Sequence, residues 1–314
     1  MDDVLVVGAG VVGLTCAVRL AEAGARVRVI TADEPAETVS RIAAAVWYPT
    51  RTDPDPRVLD WAGQTFDELA AQAARGVPGV VMRPTRMLLR AEVSDHPWWS
   101  AAVPDFQIVP PAPGYAGEWR FTVPSVEMAP YLEWLRERLA GLGVPVRRQR
   151  IRTLREVAGL APVVVNATGL AAGRLADDPA VYPVRGRIVV VANPGLSTSL
   201  RDEGHPAGPT YVHPRSRDVV LGGTFEPYET DTAPDEEVAR AIVARCVALV
   251  PELAGAPVLG QLTGLRPARH GGPRVALDPS GPDGIRLIHN YGHGGAGVTL
   301  AWGCAAEVVA LASR

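Results

Sequence analysis

The sequence predicts an α/β fold in which a parallel sheet is combined with a second, β-rich region. The first observation is a strand–helix–strand pattern: residues 4–7 form an apolar run, Val12 and Cys16 follow at helical spacing, and residues 26–30 have strand character. The second is a group of short β-prone runs within residues 185–225, separated by proline, glycine and serine. A strand–helix–strand unit of this kind implies parallel strands.

The composition is that of an ordinary soluble globular protein, with 47% apolar and 21% charged residues in a chain of 314. The 31 basic against 34 acidic residues give a net charge of -3, so nucleic acid is not expected as a partner. Every basic residue is arginine, because the sequence contains no lysine. This absence excludes enzymes that use a Schiff-base lysine, a pyridoxal-phosphate lysine or a P-loop lysine.

The cysteines and the acidic N-terminus favour a cytoplasmic protein without a membrane partner. Cys16, Cys246 and Cys304 are odd in number and far apart, so neither a disulfide framework nor a zinc site is expected. A secretory signal would begin with basic residues, which are absent here. Residues 287–306 are uncharged and of membrane-spanning length, but their two histidines, asparagine and many glycines argue against a transmembrane helix.

Three further helices are predicted from periodicity and end signals. One covers residues 56–75. The next starts at Ser125, a residue type favoured at N-caps, and places four leucines between residues 132 and 142 on one face. The third begins at Thr232, with a proline and a glutamate following, and is stopped by Pro251.

The two regions are predicted to be interleaved along the chain rather than joined end to end. Residues 163–165 form another buried strand signal, which returns the chain to the first sheet. The nucleotide-binding domain is expected to comprise three segments, residues 1–50, 141–182 and 256–314. The second domain takes the intervening segments, residues 51–140 and 183–255.

A glycine motif lies between the first strand and the first helix. It is a GxGxxG pattern composed of Gly8, Ala9, Gly10, Val11, Val12 and Gly13. The first glycine permits a tight turn, the second lets the backbone approach a pyrophosphate, and the third packs helix on strand. Asp33, about twenty residues further on, is placed to accept a hydrogen bond from a ribose hydroxyl. This context predicts a Rossmann-like dinucleotide-binding domain, although the motif alone does not separate NAD from FAD.

A second glycine-rich segment lies near the C-terminus, at residues 287–300, and continues into an apolar helical stretch. It resembles the C-terminal signature of the D-amino-acid oxidases, FAD-dependent enzymes that oxidise D-amino acids. The resemblance extends over nearly the whole chain. Further segments similar to that family are residues 42–49 (its alanine-rich segment beneath the flavin), 165–169 (its second cofactor strand), 211–223 (its strand pair with the substrate tyrosine) and 264–269 (its segment with the substrate arginine).

The resemblance implies a Rossmann-like FAD-binding domain with a mixed, β-rich substrate-binding domain, and it implies non-covalent FAD. Beside the glycine motif and Asp33, it assigns to the cofactor a set of residues spread along the chain. They are Arg41, Ala43, Ala44, Ala45, Val46, Ile151, Thr168, Gly169, Gly294, Gly295, Gly297, Val298 and Thr299.

The resemblance also implies three residues at the reacting part of the substrate. Arg266 would bind the amino-acid carboxylate, Tyr211 would add a hydroxyl to it, and Gly295 would accept a hydrogen bond from the amine through its backbone carbonyl. An arginine meets a physical need here, because a carboxylate in an apolar pocket requires a paired cation and the guanidinium offers two parallel hydrogen bonds. Reasoning from the residues alone does not choose between Arg266 and Arg269.

The reaction implied by the resemblance is hydride transfer from the substrate α-carbon to flavin N5. The imino acid then hydrolyses to a 2-oxo acid and ammonia, and dioxygen reoxidises the flavin with release of hydrogen peroxide. No general base is required when the amine binds in its neutral form. No metal site is expected, because His289 and His293 lie in a glycine-rich loop and are interpreted as structural hydrogen-bonding residues.

Departures from the family pattern bear on the substrate. Phe225 stands where the D-aspartate branch of the family has an arginine, so neutral D-amino acids are favoured. Ala207 occupies the position of a second pocket tyrosine, in a shortened loop, which puts the lid over the site in doubt. Tyr48 and His213, both assigned to the substrate pocket, differ from the residues of mammalian members.

Other functions remain open from the sequence. They are a D-aspartate oxidase, a flavin amine oxidase of the glycine or sarcosine type, a nicotinamide dehydrogenase, and a non-catalytic flavin-binding protein in which Arg266 would form an internal salt bridge. The absence of lysine argues against a monomeric sarcosine oxidase. The resemblance implies a homodimer, and Trp98 and Trp99 are assigned to a satellite core or to such a surface.

Overall fold

The computed structural model describes residues 3–49, 55–93 and 95–314. The strands, in chain order, are β1 (Asp3–Val7), β2 (Arg26–Thr31), β3 (Val80–Leu89), β4 (Gln107–Val109), β5 (Gly117–Val126), β6 (Val146–Arg148), β7 (Val163–Asn166), β8 (Val181–Ala192), β9 (Ser199–Asp202), β10 (Thr210–Pro214), β11 (Asp218–Gly222), β12 (Glu226–Pro227), β13 (Val258–Arg269), β14 (Arg274–Asp278) and β15 (Arg286–Tyr291). The helices are α1 (Val11–Glu22), α2 (Val58–Ala74), α3 (Met128–Gly141), α4 (Ala172–Leu175), α5 (Glu236–Leu249) and α6 (Gly297–Ala312). Short 3-10 turns lie at Pro35–Glu37, Val39–Ile42, Trp98–Ala102, Leu154–Val157, Gly169–Ala171, Pro251–Leu253, Pro282–Gly284 and Gly294–Ala296.

The first sheet has the strand order β14-β15-β7-β1-β2-β6. Strand β1 pairs in parallel with β2 and β7, and these pair in parallel with β6 and β15, so the predicted strand–helix–strand unit is confirmed. Val4 and Val6 pack into the core beneath the helices, whereas Leu5 and Val7 pack on the opposite face against Ile151. The continuous apolar run of β1 therefore reflects a strand that is buried on both faces.

The second sheet has the order β12-β8-β11-β10-β9-β3-β5-β4, and β13 also pairs with β8. Its pairs are antiparallel except for β3 and β9, which run parallel. The antiparallel character expected for residues 185–225 is confirmed by β8, β10 and β11.

Helix α6 is part of the core that the first sheet shares with its helices. Leu300, Ala301 and Cys304 are buried there with residues of α1 and α2. Among the described residues, the segment Gly294–Ala312 is long and apolar enough to cross a membrane, and 61% of its most apolar stretch is buried inside the protein. A core helix meets the same criterion, because burial on all sides also selects an apolar sequence.

An aromatic cluster fills the space between α2 and β5. Trp99 is 2% exposed, and its ring meets those of Tyr48 at 5.3 Å and Phe121 at 5.1 Å, edge to face. Trp47 joins the cluster, 6.2 Å from Trp99. Trp98, by contrast, is 52% exposed. Trp99 thus belongs to a core, as one of the two sequence interpretations held.

The boundaries between the sheets differ from the predicted segment boundaries in two places. Strand β13 falls in the segment 256–314, yet it joins the second sheet because it pairs with β8 from Val258 to Arg269. Helices α2 and α3 fall in the segment 51–140, yet they share the core of the first sheet. All strands of the first sheet come from the three segments predicted for nucleotide binding. The division into two domains stays a prediction.

Two predicted helix starts are wrong by a few residues. Ser125 lies in β5, and α3 begins at Met128 with Glu127 as its N-cap, because β5 continues pairing with β3 up to Val126. Thr232 does not begin α5. Asp235 caps that helix, since its carboxylate accepts hydrogen bonds from the backbone amides of the second and third helical residues.

Candidate active site

A cavity of about 520 Å³ runs from the β1–α1 turn to the second sheet. The sequence assigned residues from widely separated segments to one site, and most of them line this cavity. Those at the nucleotide part are Gly8, Ala9, Gly10, Val11, Val12, Asp33, Ala43, Ala44, Ala45, Val46, Ile151, Thr168 and Gly169. Those towards the second sheet are Tyr48, Tyr211, His213, Arg266, Gly294, Gly295, Gly297, Val298 and Thr299.

The β1–α1 turn has the close packing that its glycines predict. Gly8 has φ +113°, and a Cβ there would lie 2.4 Å from the carbonyl oxygen of Ala167. A Cβ at Gly13 would lie 2.0 Å from the carbonyl oxygen of Gly8. Gly13 therefore packs helix on strand, as expected for the third glycine of the motif, but it does not line the cavity with the other residues predicted to bind the cofactor.

The amino-terminal end of α1 lies at the cavity, which Gly10, Val11 and Val12 line. Gly10 is the N-cap residue and supplies no side-chain cap. The Oγ of Ser40 accepts a 3.0 Å hydrogen bond from the backbone amide of Val11. Ser40 was not predicted from the sequence, because its place in the 3-10 turn Val39–Ile42 becomes visible only when that turn folds back over the helix terminus.

Asp33 lies just after β2, at the end of the cavity beside Ile151. Its carboxylate is paired with Arg150 at 3.1 Å, and both side chains are at least half exposed. The Oγ1 of Thr31 donates a hydrogen bond to the backbone carbonyl of Asp33 at 2.7 Å. The carboxylate thus stands at the position where a ribose hydroxyl is expected.

Arg41 differs in position from the other residues predicted to bind the cofactor. Its side chain is exposed, and Arg41 is not among the described residues that line the cavity, whereas its neighbours Ser40 and Ile42 are. The reason is the geometry of the 3-10 turn, which directs residues on either side of Arg41 inward and Arg41 itself to solvent.

Arg266 reaches the cavity from β13. Its Nη1 donates a 3.2 Å hydrogen bond to the backbone carbonyl of Thr224, and it forms no ion pair within the part of the chain that the structure describes. Gly186 on β8 makes room for the guanidinium, because a Cβ at that position would lie 2.1 Å from Nη1. The cavity therefore holds a cation that has no carboxylate partner among residues 3–49, 55–93 and 95–314.

Arg269 has the opposite surroundings, although it lies on the same strand. Its Nε donates to the carboxylate of Asp178 at 2.8 Å, and its Nη1 donates to the backbone carbonyls of His270 and Gly272. Asp178 is 7% exposed and also accepts a hydrogen bond from Tyr291. Arg269 is thus held in an internal hydrogen-bond network, whereas Arg266 has only a backbone carbonyl as its partner among the described residues.

The ring of Tyr211 packs against the backbone of β11. It faces Gly222 in the β10–β11 register, and a Cβ at Gly222 would lie 1.9 Å from its Cζ. Burial raises the pKa of the Tyr211 phenol, so the hydroxyl keeps its proton and can donate a hydrogen bond. His213 stacks on this ring at 4.8 Å. Burial, helped by the charges of Arg201 and Arg83, holds the pKa of His213 well below its ordinary value, so the imidazole is neutral.

The glycine turn before α6 closes the cavity beside Arg266. Gly294 has φ +55°, and a Cβ at Gly295 would lie 3.7 Å from Cδ of Arg266. A single β-bridge between His293 and Ala268 joins the turn to β13. The structure therefore brings Arg266, Tyr211 and Gly295 to one cavity, as the sequence predicts; their roles at the substrate stay a prediction.

The two histidines of the C-terminal segment have different surroundings. His289 is bonded to Asp278 at 2.8 Å and to Asn166 at 3.3 Å, so its structural role is confirmed. His293 lines the cavity, is 3% exposed, and its Nε2 has no hydrogen-bond partner among the described residues. Burial lowers the pKa of His293 to about 4.

Two charged residues at the end of the cavity near Tyr48 were missed from the sequence. Arg201 and Glu203 line it near Tyr48 and form an ion pair, with Nη2 and Oε1 2.5 Å apart. The guanidinium of Arg201 lies over the ring of Tyr48 at 4.0 Å. No local signal identifies Arg201, because it comes to the same side of the sheet as Tyr211 only through the register of β9 with β10.

Comparisons with known proteins agree with this site. The sequence pattern of the DAO family, described as FAD dependent oxidoreductase, matches residues 3–311. The chain is 47% identical to a D-amino-acid oxidase of Rubrobacter xylanophilus over 98% of this chain and 95% of that protein, and 46% identical to one of Streptomyces coelicolor over 99% and 97%. It is 35% identical to the D-aspartate oxidase of Homo sapiens, over 99% of this chain and 94% of that protein.

A solved structure shares the fold at lower sequence identity. The glycine oxidase of Geobacillus kaustophilus matches with a TM-score of 0.83 and 21% identity, covering 100% of this chain and 95% of that one.

The cavity fits a dinucleotide cofactor at its nucleotide end. Side chains at Gly8 and Gly13 would collide with neighbouring backbone, and Gly10 leaves the α1 terminus uncapped by its own side chain, which is the arrangement that binds a pyrophosphate. Asp33 and Ile151 stand at the far end, and the glycine turn before α6 stands at the other. With the family match over nearly its whole length, the chain belongs to the FAD dependent oxidoreductase family, and FAD is its cofactor.

Proposed function

We propose that the protein catalyses the oxidative deamination of neutral D-amino acids to 2-oxo acids, ammonia and hydrogen peroxide. The observation that carries the proposal is Arg266, a cation without a carboxylate partner among the described residues, held in the same cavity as the nucleotide-binding turn. The names of the two relatives at 47% and 46% identity, both D-amino-acid oxidases, support the same reaction.

Arg266 binds the substrate carboxylate. An isolated carboxylate is strongly disfavoured in a partly apolar cavity, and a guanidinium offsets this with two charge-assisted hydrogen bonds. Tyr211 adds a neutral donor from the neighbouring strand, because its raised pKa keeps the phenol protonated. The two groups fix the carboxylate end of the substrate.

Gly295 accepts a hydrogen bond from the substrate amine through its backbone carbonyl. The close approach of this turn to Arg266 supports the assignment, since carboxylate and amine of one α-amino acid must bind to neighbouring groups. FAD held between the β1–α1 turn and the glycine turn before α6 would supply the acceptor for the hydride of the substrate α-carbon, and dioxygen is the proposed final electron acceptor. The protein contributes orientation, and no general base is needed when the amine binds neutral.

A second candidate is oxidation of an acidic D-amino acid. The observation that favours it is Arg201, a second cation in the cavity, together with the 35% identity to a D-aspartate oxidase. Two observations favour neutral substrates instead. Phe225 lines the cavity at the position where the D-aspartate branch carries arginine, and Arg201 is already paired with Glu203.

The proposal is tested by measuring hydrogen peroxide release from the holoenzyme with D-alanine, L-alanine, D-aspartate and glycine as separate substrates. We expect turnover with D-alanine, and kcat/KM lower by about tenfold or more for D-aspartate and glycine. Turnover with L-alanine at the same efficiency as D-alanine contradicts the stereochemical part. A higher kcat/KM for D-aspartate than for D-alanine makes the second candidate correct.

We further propose that the protein is a cytoplasmic homodimer. The three cysteines support the location, because all are buried free thiols, as is usual in a reducing compartment. The resemblance to D-amino-acid oxidases supports the assembly. Light scattering on the purified holoenzyme tests it, and a monomeric mass at micromolar concentration contradicts it.

A further inference from the structure

The part of the cavity nearest Tyr48 contains an internal ion pair. Nη2 and Nε of Arg201 lie 2.5 Å and 3.2 Å from Oε1 of Glu203. Only 10% of the Arg201 side chain and 24% of the Glu203 side chain are exposed. The guanidinium also lies over the ring of Tyr48, so its position is fixed from two sides.

The Arg201–Glu203 pair differs in charge from Arg266, which lines the same cavity. Arg266 has a backbone carbonyl as its partner, whereas Arg201 has a carboxylate. The two arginines enter the same cavity from different strands, β13 and β9, and Tyr211 lies across from Arg201 in the register. Arg266 is thus available to a substrate carboxylate, whereas Arg201 is neutralised by a carboxylate of the protein.

We propose that Glu203 sets the side-chain specificity of the enzyme by holding Arg201 in this ion pair, so that the cavity accepts one substrate carboxylate and rejects a second. The inference rests on the proposed function and deepens it, because it names the residues that exclude acidic D-amino acids. Glu203 acts through Arg201, so it is a positioning residue and not a catalytic one.

The physical basis is competition between two carboxylates for one guanidinium. A second substrate carboxylate near Tyr48 would be repelled by Glu203 and would have to displace it from Arg201. Water screens this repulsion incompletely, because the side chains of Arg201 and Glu203 are only 10% and 24% exposed. A substrate with a neutral side chain meets no such opposition.

The first test is the variant Glu203→Gln, which keeps the shape of the side chain and removes its charge. We expect the ratio of kcat/KM for D-glutamate to kcat/KM for D-alanine to rise by about tenfold or more. Adding Arg201→Gln to this variant should return the ratio towards the wild-type value, because the freed cation is then lost. The matched control is Glu133→Gln, which removes the carboxylate of another 2.5 Å pair, with Arg136, on the exposed side of α3. It should leave the ratio unchanged, and an unchanged ratio in Glu203→Gln would overturn the inference.

A second test uses the wild-type holoenzyme and needs neither a variant nor turnover. Butanoate and succinate have the same chain length and differ by one carboxylate, and their binding is followed by the change in flavin absorbance. We expect butanoate to bind at least about fivefold more tightly than succinate. Equal or tighter binding of succinate overturns the inference, even when Glu203→Gln fails to fold. Absence of turnover with every D-amino acid, by contrast, refutes the proposed function and leaves this comparison able to decide on the ion pair.

Discussion

Arg266 and Arg269 lie on the same strand, β13, but they have different hydrogen-bond partners. Arg269 completes an internal network with Asp178, while Arg266 keeps its charge in the cavity. The role proposed for each arginine therefore follows from its neighbours in the folded structure. The spacing of these two arginines along β13 gave no means of choosing between them.

Arg266→Ala should keep bound FAD and lose substrate binding. We expect kcat/KM for D-alanine to fall by about 30-fold to several hundredfold, mainly through a higher apparent KM, because a charge-assisted pair contributes roughly 2 to 4 kcal/mol. Arg269→Ala is the matched variant. It should leave KM within about threefold and lower the unfolding free energy by about 1 to 3 kcal/mol, because buried Asp178 loses a partner. The reverse pattern in the two variants refutes the assignment.

Gly186→Ala should reproduce much of the defect of Arg266→Ala without removing any charge. A Cβ at residue 186 would lie 2.1 Å from Nη1 of Arg266, so the guanidinium must move. We expect kcat/KM for D-alanine to fall by about tenfold or more with FAD retained. Gly260→Ala in β13, where a Cβ meets nothing within 4 Å, is the control. Equal activity of the two variants would show that the position of the guanidinium is not critical.

His293 should make the folded state sensitive to acid. Burial lowers its pKa in the folded protein from 6.5 to about 4, so between these values the unfolded chain binds more protons than the folded one. Stability is therefore present above pH 6.5 and is lost as the pH falls, by about 2 kcal/mol between pH 7 and pH 5 from this residue. Urea unfolding of the holoenzyme and of His293→Phe measures the effect. Between pH 7 and pH 5, the unfolding free energy of His293→Phe should fall less than that of the wild type. Between pH 8 and pH 7, the two should change in parallel. Equal losses between pH 7 and pH 5 would contradict the role of His293 in acid sensitivity.

At the scale of elements, the β1–α1 turn is the part that local sequence determines most completely. Its glycines are required by contacts with residues that the motif itself supplies or that follow β7. The strand–helix–strand unit could be predicted for the same reason, since the apolar run of β1 and the spacing in α1 are local signals.

Gly8→Ala should therefore impair cofactor binding. The substitution forces a Cβ to within 2.4 Å of the carbonyl oxygen of Ala167 at φ +113°, where alanine is strained. We expect the purified protein to contain well below one flavin per chain. The flavin content is measured from the ratio of the absorbance at about 450 nm to that at about 280 nm. Gly141→Ala in α3, which meets nothing within 4 Å, is the control and should retain FAD. Full flavin content in Gly8→Ala would contradict the role of the turn.

Other elements could not be placed from local signals, because long-range pairing decides them. Ser125 has the side chain of an N-cap, but β5 extends through it by pairing with β3. Residues 258–269 follow a helix and precede the strands of the first sheet, yet pairing with β8 draws them into the second. Arg201 was missed on the same ground, since its side of the sheet depends on the register of β9 with β10.

At the scale of the whole molecule, the two sheets contribute different parts of the cavity. The first sheet and α1 supply the turn for the nucleotide, and β8, β9, β10, β11 and β13 of the second supply or support the charged and aromatic side chains at the other end. This division explains why the chain passes between the two regions several times. It also brings Arg266, Tyr211 and Gly295 to the same cavity, as the proposed function requires.

The most direct test of the proposed reaction is to mix the purified holoenzyme anaerobically with D-alanine and, separately, with L-alanine. The absorbance of oxidised flavin is followed in each case. We expect bleaching with D-alanine and none with L-alanine, which would establish the cofactor, the reaction and the stereochemistry together. Bleaching with L-alanine alone, or a flavin spectrum that no amino acid changes, would contradict the proposal that Arg266, Tyr211 and Gly295 orient a D-amino acid for oxidation.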